Sequence, residues 1–431
     1  MKLSGEKQSL SARTIERWVM TSSPGYRMSA PRYPSWLVGA ALSAIVGVVG
    51  CSKDAAPIAP SGAPLGQEPA QALKLPGLTY WNERRAEGPW SIHVVKVDRS
   101  RNDLRFRSML ARNTVLGLSS LSQQIRSVPA SAGKVVAAIN GDFYVVDQNP
   151  YQGDPRGLQV LAGELVSSPG DQVAFWVDAS GEPHAESVES KMTITLPDGT
   201  SLSARLNEER GPKGIILYTP RLGPSTRTAG GKEYVLDRDG ANPWLPLEPA
   251  KTYTAKITEV REGGDSSLKG DHLILSAGPR VNTLGGLTVG GVVKISTHTS
   301  PDLPGVQVAI GGGNIMVRNG KVQDFQQPAN GAYKFRSVVE RHPRSAIGFN
   351  ATHLFLVEVD GRQADLSVGM TLRELGTYMQ QLGCVEAMNF DGGGSATMWV
   401  DGHVVNSPSN GGERDIGNAL AIVRSVTTET K

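Results

Sequence analysis

From Leu78 onward the apolar positions come in short runs, separated by glycines and polar pairs. Ser91-Ile-His-Val-Val-Lys-Val97 alternates, which predicts a strand with one buried face. Val135-Val-Ala-Ala-Ile139 is continuously apolar, as in a strand covered on both faces. Turn chemistry predicts three hairpins, at Asn319-Gly320, Asp401-Gly402 and the weaker Ala162-Gly163. Such pairs tolerate the positive φ that a two-residue turn demands. Another apolar run, Leu354 to Val359, ends at Asp360-Gly361. One helix is well marked: Thr371 and Glu374 form a capping box, Leu372, Leu375, Met379 and Leu382 keep helical spacing, and Gly383 stops it. The chain then returns to an alternating strand, Val385 to Phe390. The pattern predicts an α+β fold: mostly antiparallel sheets with a few packed helices, in a single large domain over residues 78–428. Punctuation weakens from about residue 178 to 300, a stretch readable as an inserted subdomain.

The N-terminal pattern differs. Trp36 to Gly50 is an uncharged apolar stretch behind Arg27 and Arg32, too short to span a membrane comfortably and suited to the core of a signal peptide. It ends in Val48-Val49-Gly50-Cys51, which looks like the lipobox of bacterial lipoproteins, with Cys51 as the lipidated residue. Residues 1–50 therefore read as a lipoprotein signal peptide and 51–77, rich in Pro, Ala and Gly, as lipidated cysteine and tether. The expected product is exported and held on a bacterial membrane by its lipid, on the periplasmic or cell-surface side.

Charge and cysteines sharpen this picture. Residues 1–50 carry six Lys/Arg and two acids, a net of +4 in a chain whose total is +3, so the remainder carries −1. A near-neutral mature chain gives no electrostatic case for nucleic acid. Cys384 is the only cysteine besides Cys51, so it reads as a small core residue rather than half of a disulfide.

Four stretches could carry chemistry. Asn389-Phe390-Asp391-Gly392-Gly393-Gly394-Ser395 ends a strand in an amide and a carboxylate, and its glycine N–H groups could form an anion-binding concavity. Ala138-Ile-Asn140-Gly-Asp142-Phe-Tyr144 likewise delivers an amide and an acid at a strand end. In Arg341-His-Pro-Arg344-Ser-Ala-Ile-Gly348, Arg344 enters a strand where a guanidinium could grip phosphate through two parallel hydrogen bonds. Glu413-Arg414-Asp415-Ile-Gly-Asn418 is a charged turn before the final strand. Each stretch alone could be turn chemistry; together they supply acids, amides and arginines suited to cleavage at a phosphorylated sugar. Gly393-x-Ser395-x-Thr397 lacks the final glycine of a nucleophile elbow. No Walker, dinucleotide or histidine-ligand spacing occurs, so neither a cofactor nor a metal is expected, although the carboxylates are compatible with a divalent cation.

Taken in order, AINGDFY (138–144), GLQVLAGELV (157–166), LYTPRLG (217–223), IGGGNIMVRNGKV (310–322), HPRSAIG (342–348), VEVDGR (357–362), SVGMTLRELG (367–376), NFDGGGSATM (389–398) and ERDIGNAL (413–420) resemble the phosphodiester glycosidase family over about residues 90–425. The resemblance implies a hydrolase that cleaves a sugar from a phosphodiester. It brings Asn140, Asp142, Arg344, Asp360, Asn389, Asp391, Ser395 and Arg414 into one candidate site. On this reading Arg344 and Arg414 hold phosphate oxygens. Asp391, with Asp360 or Asp142, supplies acid and base, and Asn140 and Asn389 orient hydroxyls or water. Gly392, Gly393, Gly394 and Ser395 complete an anion cradle. The expected partners are a glycan or sugar-phosphate polymer as substrate and the membrane through the lipid. Two rivals are a non-catalytic glycan-binding lipoprotein and a phosphodiesterase or other hydrolase of an envelope polymer.

Overall fold

The computed structural model describes residues 66–170, 172–240, 244–325 and 337–425. The expected signal peptide, Cys51 and most of the expected tether lie outside them. Residues Ala55–Lys431 form one compact unit.

The backbone of the fold is an eight-stranded antiparallel sheet. Its strand order is Leu73–Leu75, Leu78–Arg85, Trp90–Asp98, His353–Val359, Arg344–Phe349, Glu386–Asn389, Ile315–Arg318, Lys321–Val322. Facing it is a five-stranded antiparallel sheet: His403–Val404, Met398–Val400, Lys134–Asn140, Asn418–Arg424, Leu104–Leu110. Val95, Ile347, Leu356 and Met388 from the first meet Ile139, Met398 and Leu420 from the second in a dry core. Phe175 and Ile310, from another five-stranded sheet, close the same core.

The expected α+β class does not hold: this is a β-rich fold. Among the described residues, α-helices with defined bounds are Leu121–Arg126 and Leu372–Gln381, against 28 strands. Only the longer helix packs a broad apolar face, laying Leu372, Leu375, Tyr378 and Met379 on the outer side of the eight-stranded sheet beside Val357, Ala346 and Ala387. Its capping box of Thr371 and Glu374 is present, a feature worth about 1 kcal/mol. Cys384 is buried in the same layer, where burial pushes its thiol pKa up. Elsewhere sheet packs on sheet, which needs no helices to cover apolar faces. All eight strands of another sheet fall between residues 193 and 296, and it packs its own large core against the sheet of Gln159–Leu161 and Val308–Gly311.

All three predicted hairpins form. Ala162-Gly163, Asn319-Gly320 and Asp401-Gly402 each take positive φ at both positions, at the expected places in the ladders. Asp360-Gly361 makes no such turn; instead Arg362 takes a positive φ of 60°.

Register then brings polar residues into the end of the core. Ser345 lies opposite Glu358, and Glu358 opposite His93. These belong to the same alternating set as the core residues Ile347, Leu356 and Val95, so the space between the sheets turns polar at this end.

Candidate active site

Two strands, Lys134–Asn140 and Glu386–Asn389, end here from facing sheets, each in an asparagine. Both amides are spent on the protein. The Asn140 Nδ2 donates to the Asp391 carbonyl at 2.7 Å, and its Oδ1 accepts from the Ser345 hydroxyl at 2.6 Å and the Thr397 N–H at 3.1 Å. The Asn389 Oδ1 accepts from the Asn314 N–H at 2.7 Å, and its Nδ2 donates to the Phe390 carbonyl at 2.8 Å. These side chains join strands and loops, where substrate orientation was expected of them.

Asp391 stands just beyond this joint. Its N–H donates to the Gly141 carbonyl at 2.9 Å, and Oδ1 accepts from the Gly392 N–H at 2.9 Å. The residue is partly exposed. Burial raises its pKa, opposed by the Ser395 hydroxyl, the Gly392 N–H, Arg414 and Arg156. Asp142 lies behind it, 3% exposed, accepting from the Phe143 N–H at 2.7 Å and the Gly157 N–H at 2.6 Å. Desolvation pushes Asp142 up to about 8, opposed by those two N–H donors and reinforced by the charge of Asp391. A Cβ on Gly311 would come within 2.5 Å of the Asp142 carboxylate, so glycine is what lets the neighbouring strand pass. Asp154, which sequence reasoning missed, is a third buried acid whose pKa is raised by burial, by Glu208 and by Asp142.

The glycine loop works differently from the expected N–H cradle. The Gly392 N–H goes to Asp391 and the Gly393 N–H to the Pro343 carbonyl at 2.9 Å. The glycines instead admit the protein's own groups. A Cβ would come within 2.6 Å of the Pro343 carbonyl at Gly392, 2.9 Å of the Arg362 guanidinium at Gly393 and 2.6 Å of the Asn410 amide at Gly394. Ser395 is fully buried and its hydroxyl has no well-formed hydrogen bond among the described residues. It nonetheless lies close enough to Asp391 and Tyr144 to lower both pKa values.

Two arginines, Arg414 and Arg156, favour ionisation of this acid, and a third, Arg362, lies against its glycine loop. The Arg414 guanidinium lies 5.6 Å from the centre of the Tyr144 ring, and Tyr144 donates to the Asp415 carbonyl at 2.9 Å. Arg156 is exposed, and its charge favours ionisation of Asp391, Asp142 and Asp154. Arg362 is exposed beside Gly393, 3.4 Å from the His342 Nδ1. None of the three makes an ion pair among the described residues. Arg156 and Arg362 were not singled out from sequence; a positive φ on a non-glycine residue such as Arg362 is not visible there.

Arg344 is elsewhere in role. It is 7% exposed, donating through Nε to the Met370 carbonyl at 2.8 Å and through Nη2 to the carbonyls of Ser337 and Glu340 at 2.6 and 2.9 Å. Burial, with Arg362 nearby, lowers its pKa to about 10. Three of the five N–H donors of this guanidinium thus tie the loop before its strand, which leaves the two on Nη1 for any other partner. Asp360 also stands apart from Asp391: it is 1% exposed and faces His93 and Glu358. A cavity of about 930 Å³ lies at the opposite end of the sheets around Val97, Arg107, Asp178 and Leu354. It shares no residue with the acids and arginines described above.

The phosphodiester glycosidase family model matches residues 252–423, which include Asp391, Arg362 and Arg414 but not Asp142 or Arg156. The resemblance seen in the sequence is thus borne out over that span. A crystal structure of a hypothetical protein from Synechocystis superposes with a TM-score of 0.64 at 22% identity, covering 81% of this chain and 62% of that one. A protein from Burkholderia pseudomallei, provisionally described as exported, gives 0.61 at 21%, covering 78% of this chain and 74% of that one. These establish a shared fold. The catalytic domain of zebrafish N-acetylglucosamine-1-phosphodiester alpha-N-acetylglucosaminidase aligns over 83% of this chain and 86% of that one at 15% identity, but its TM-score of 0.42 carries no argument. The uncharacterized SPbeta prophage-derived protein YomE of Bacillus subtilis is 37% identical over 83 residues, 19% of this chain and 13% of that protein's length. No helix among the described residues is long and apolar enough to cross a membrane.

Proposed function

We propose that the chain hydrolyses the bond between a sugar and the phosphate of a phosphodiester, acting on a glycan or sugar-phosphate polymer of the bacterial cell envelope, to which Cys51 would tether it. The observation that carries this reading is one partly exposed carboxylate with Arg414 and Arg156 beside it and Arg362 against its glycine loop, the three arginines without ion pairs among the described residues. Cations left without ion pairs among the described residues, beside a glycine loop, suit an anionic substrate.

The chemistry follows from the leaving group. A phosphodiester anion is a weak base and departs without full protonation, so arginines that take up its charge can replace a strong general acid. Asp391 then supports the sugar centre, either by attacking it or by activating water. Asp142, held neutral near pH 7 behind it, keeps a second negative charge away from Asp391. Asn140 and Asn389 fix the height at which the two strand ends meet.

The test is incubation of the purified chain with a panel of sugar-1-phosphodiesters. Release of a free reducing sugar is the expected result. Binding without release would favour a glycan-binding module, and hydrolysis without a reducing sugar would favour a phosphodiesterase.

A further inference from the structure

We infer that His93, Glu358 and Asp360 form a binding site for one divalent transition-metal ion of the Zn²⁺ or Mn²⁺ type, set between the sheets and separate from the arginine-lined acid. Strand geometry assembles it. Glu358 and Asp360 alternate on one strand and so face the same side, and His93 lies directly opposite Glu358 on the neighbouring strand. One ligand atom from each lies within 4.8 Å of the others, and all three residues are buried.

The hydrogen-bond inventory shows what is missing. Asp360 Oδ1 accepts from the Ser407 N–H at 2.7 Å and more weakly from Asn406 at 3.4 Å. Asp360 Oδ2 is left facing the His93 Nε2 at 3.2 Å. Glu358 is fully buried, and neither carboxylate oxygen has a well-formed hydrogen bond among the described residues. A buried polar group left this way is costly. The His93 Nε2 also lies 3.2 Å from the Asn82 Nδ2 and 3.3 Å from the Ser91 hydroxyl, so donors reach the imidazole and Asp360 while both Glu358 oxygens are left without a well-formed one. A single shared proton could satisfy one contact; a dication satisfies the imidazole and both carboxylates together.

The donor chemistry narrows the ion. One imidazole nitrogen with two carboxylates favours a transition metal over calcium, which takes six or more oxygens. The other ring nitrogen is already held: His93 Nδ1 lies 2.9 Å from the Tyr80 hydroxyl. Metal-bound histidines commonly have their second nitrogen anchored in this way, which fixes the tautomer that presents Nε2. Through Asn406, which donates both to Asp360 and to the Ala396 carbonyl at 3.2 Å, the ion would brace the segment that follows the glycine loop.

The test needs no substrate. The chain is refolded with Zn²⁺ or Mn²⁺ and without added metal, exhaustively dialysed, and assayed by atomic emission and thermal melting. The expected result is about one retained equivalent with a raised melting temperature, lost in Glu358→Gln. No retained metal and no thermal shift with either ion would overturn the proposal and leave the cluster neutralised by a proton. Retention by a folded Glu358→Gln variant would overturn the assignment to these residues. Should that variant not fold, the Co²⁺-refolded wild type decides: visible bands of an imidazole–carboxylate complex support the site, and the spectrum of hydrated Co²⁺ sinks it.

Discussion

Two groups of acids lie at the polar end of the same core, and the fold treats them in opposite ways. Asp391 and Asp142 stand among arginines, with backbone N–H groups pointed at their oxygens. Glu358 and Asp360 stand among neutral amides and one histidine, with few donors. The first group has cations without ion partners at its rim; the second has uncompensated acceptors in its interior. A carboxylate is therefore a poor guide to role by itself. What compensates it decides the matter: surplus positive charge invites an anion, and surplus lone pairs invite a cation.

The largest effect should come from removing the charge at the rim. Asp391→Asn keeps the side-chain size and can still accept the Gly392 N–H, so the fold should survive. If Asp391 supports the reacting sugar, turnover should fall roughly a hundredfold or more. Rate and melting temperature belong on one preparation. An active but destabilised variant would make Asp391 a loop residue, and the contrast between the two acid groups would lose its functional half.

Within the first group, Asp142 sets burial against hydrogen bonding. Desolvation raises its pKa to about 8, while two N–H donors and Arg156 pull the other way. An acid with a raised folded-state pKa holds a proton that the unfolded chain has released. Its stabilising contribution is complete below the unfolded value near 4 and is lost as pH rises toward 8, at most about 1.4 kcal/mol per pH unit. Asp142→Asn cannot titrate, and it loses one of two acceptors. The variant should be less stable than wild type at pH 5, with the gap in melting temperature narrowing toward pH 8. A gap that widens with pH would mean that the N–H donors win and that Asp142 is ionised beside Asp391.

How much of this was legible follows from how local each signal is. The hairpins and the capped helix could be read because their determinants sit within a few residues. The class could not: one strong helix signal suggested packed helices, whereas the remaining apolar faces are covered by other sheets. Asn140 and Asn389 do stand at strand ends, but their amides bond within the protein, and an amide serves equally to join sheets or to meet a ligand. Glu358 was missed although its signal was present: Glu-x-Asp at the end of an apolar strand puts two carboxylates on one face. Arg156 reaches Asp391, and Arg362 the glycine loop, through loops whose course no pattern of apolar positions specifies.

The smallest effect separates the arginines that flank Asp391 from the one that does not. The carbonyls of Met370, Ser337 and Glu340 take three of the five Arg344 N–H donors, which hold residues 337–343 against the start of its strand. Lysine there keeps a charge but cannot reproduce the planar set of donors, and a buried ammonium is more easily neutralised. Arg344→Lys should therefore cost stability, about 1–3 kcal/mol by the usual cost of buried polar groups losing partners. The folded enzyme should keep its kcat within a few-fold, because no bond to substrate is lost. Had Arg344 gripped phosphate, loss of its bidentate geometry would show as a ten- to hundredfold fall in kcat/KM at unchanged melting temperature, roughly what 1.4–2.8 kcal/mol delivers. Melting curves and steady-state rates on the single variant thus decide whether the arginines of this end divide, as the acids do, into those facing a ligand and those facing the protein.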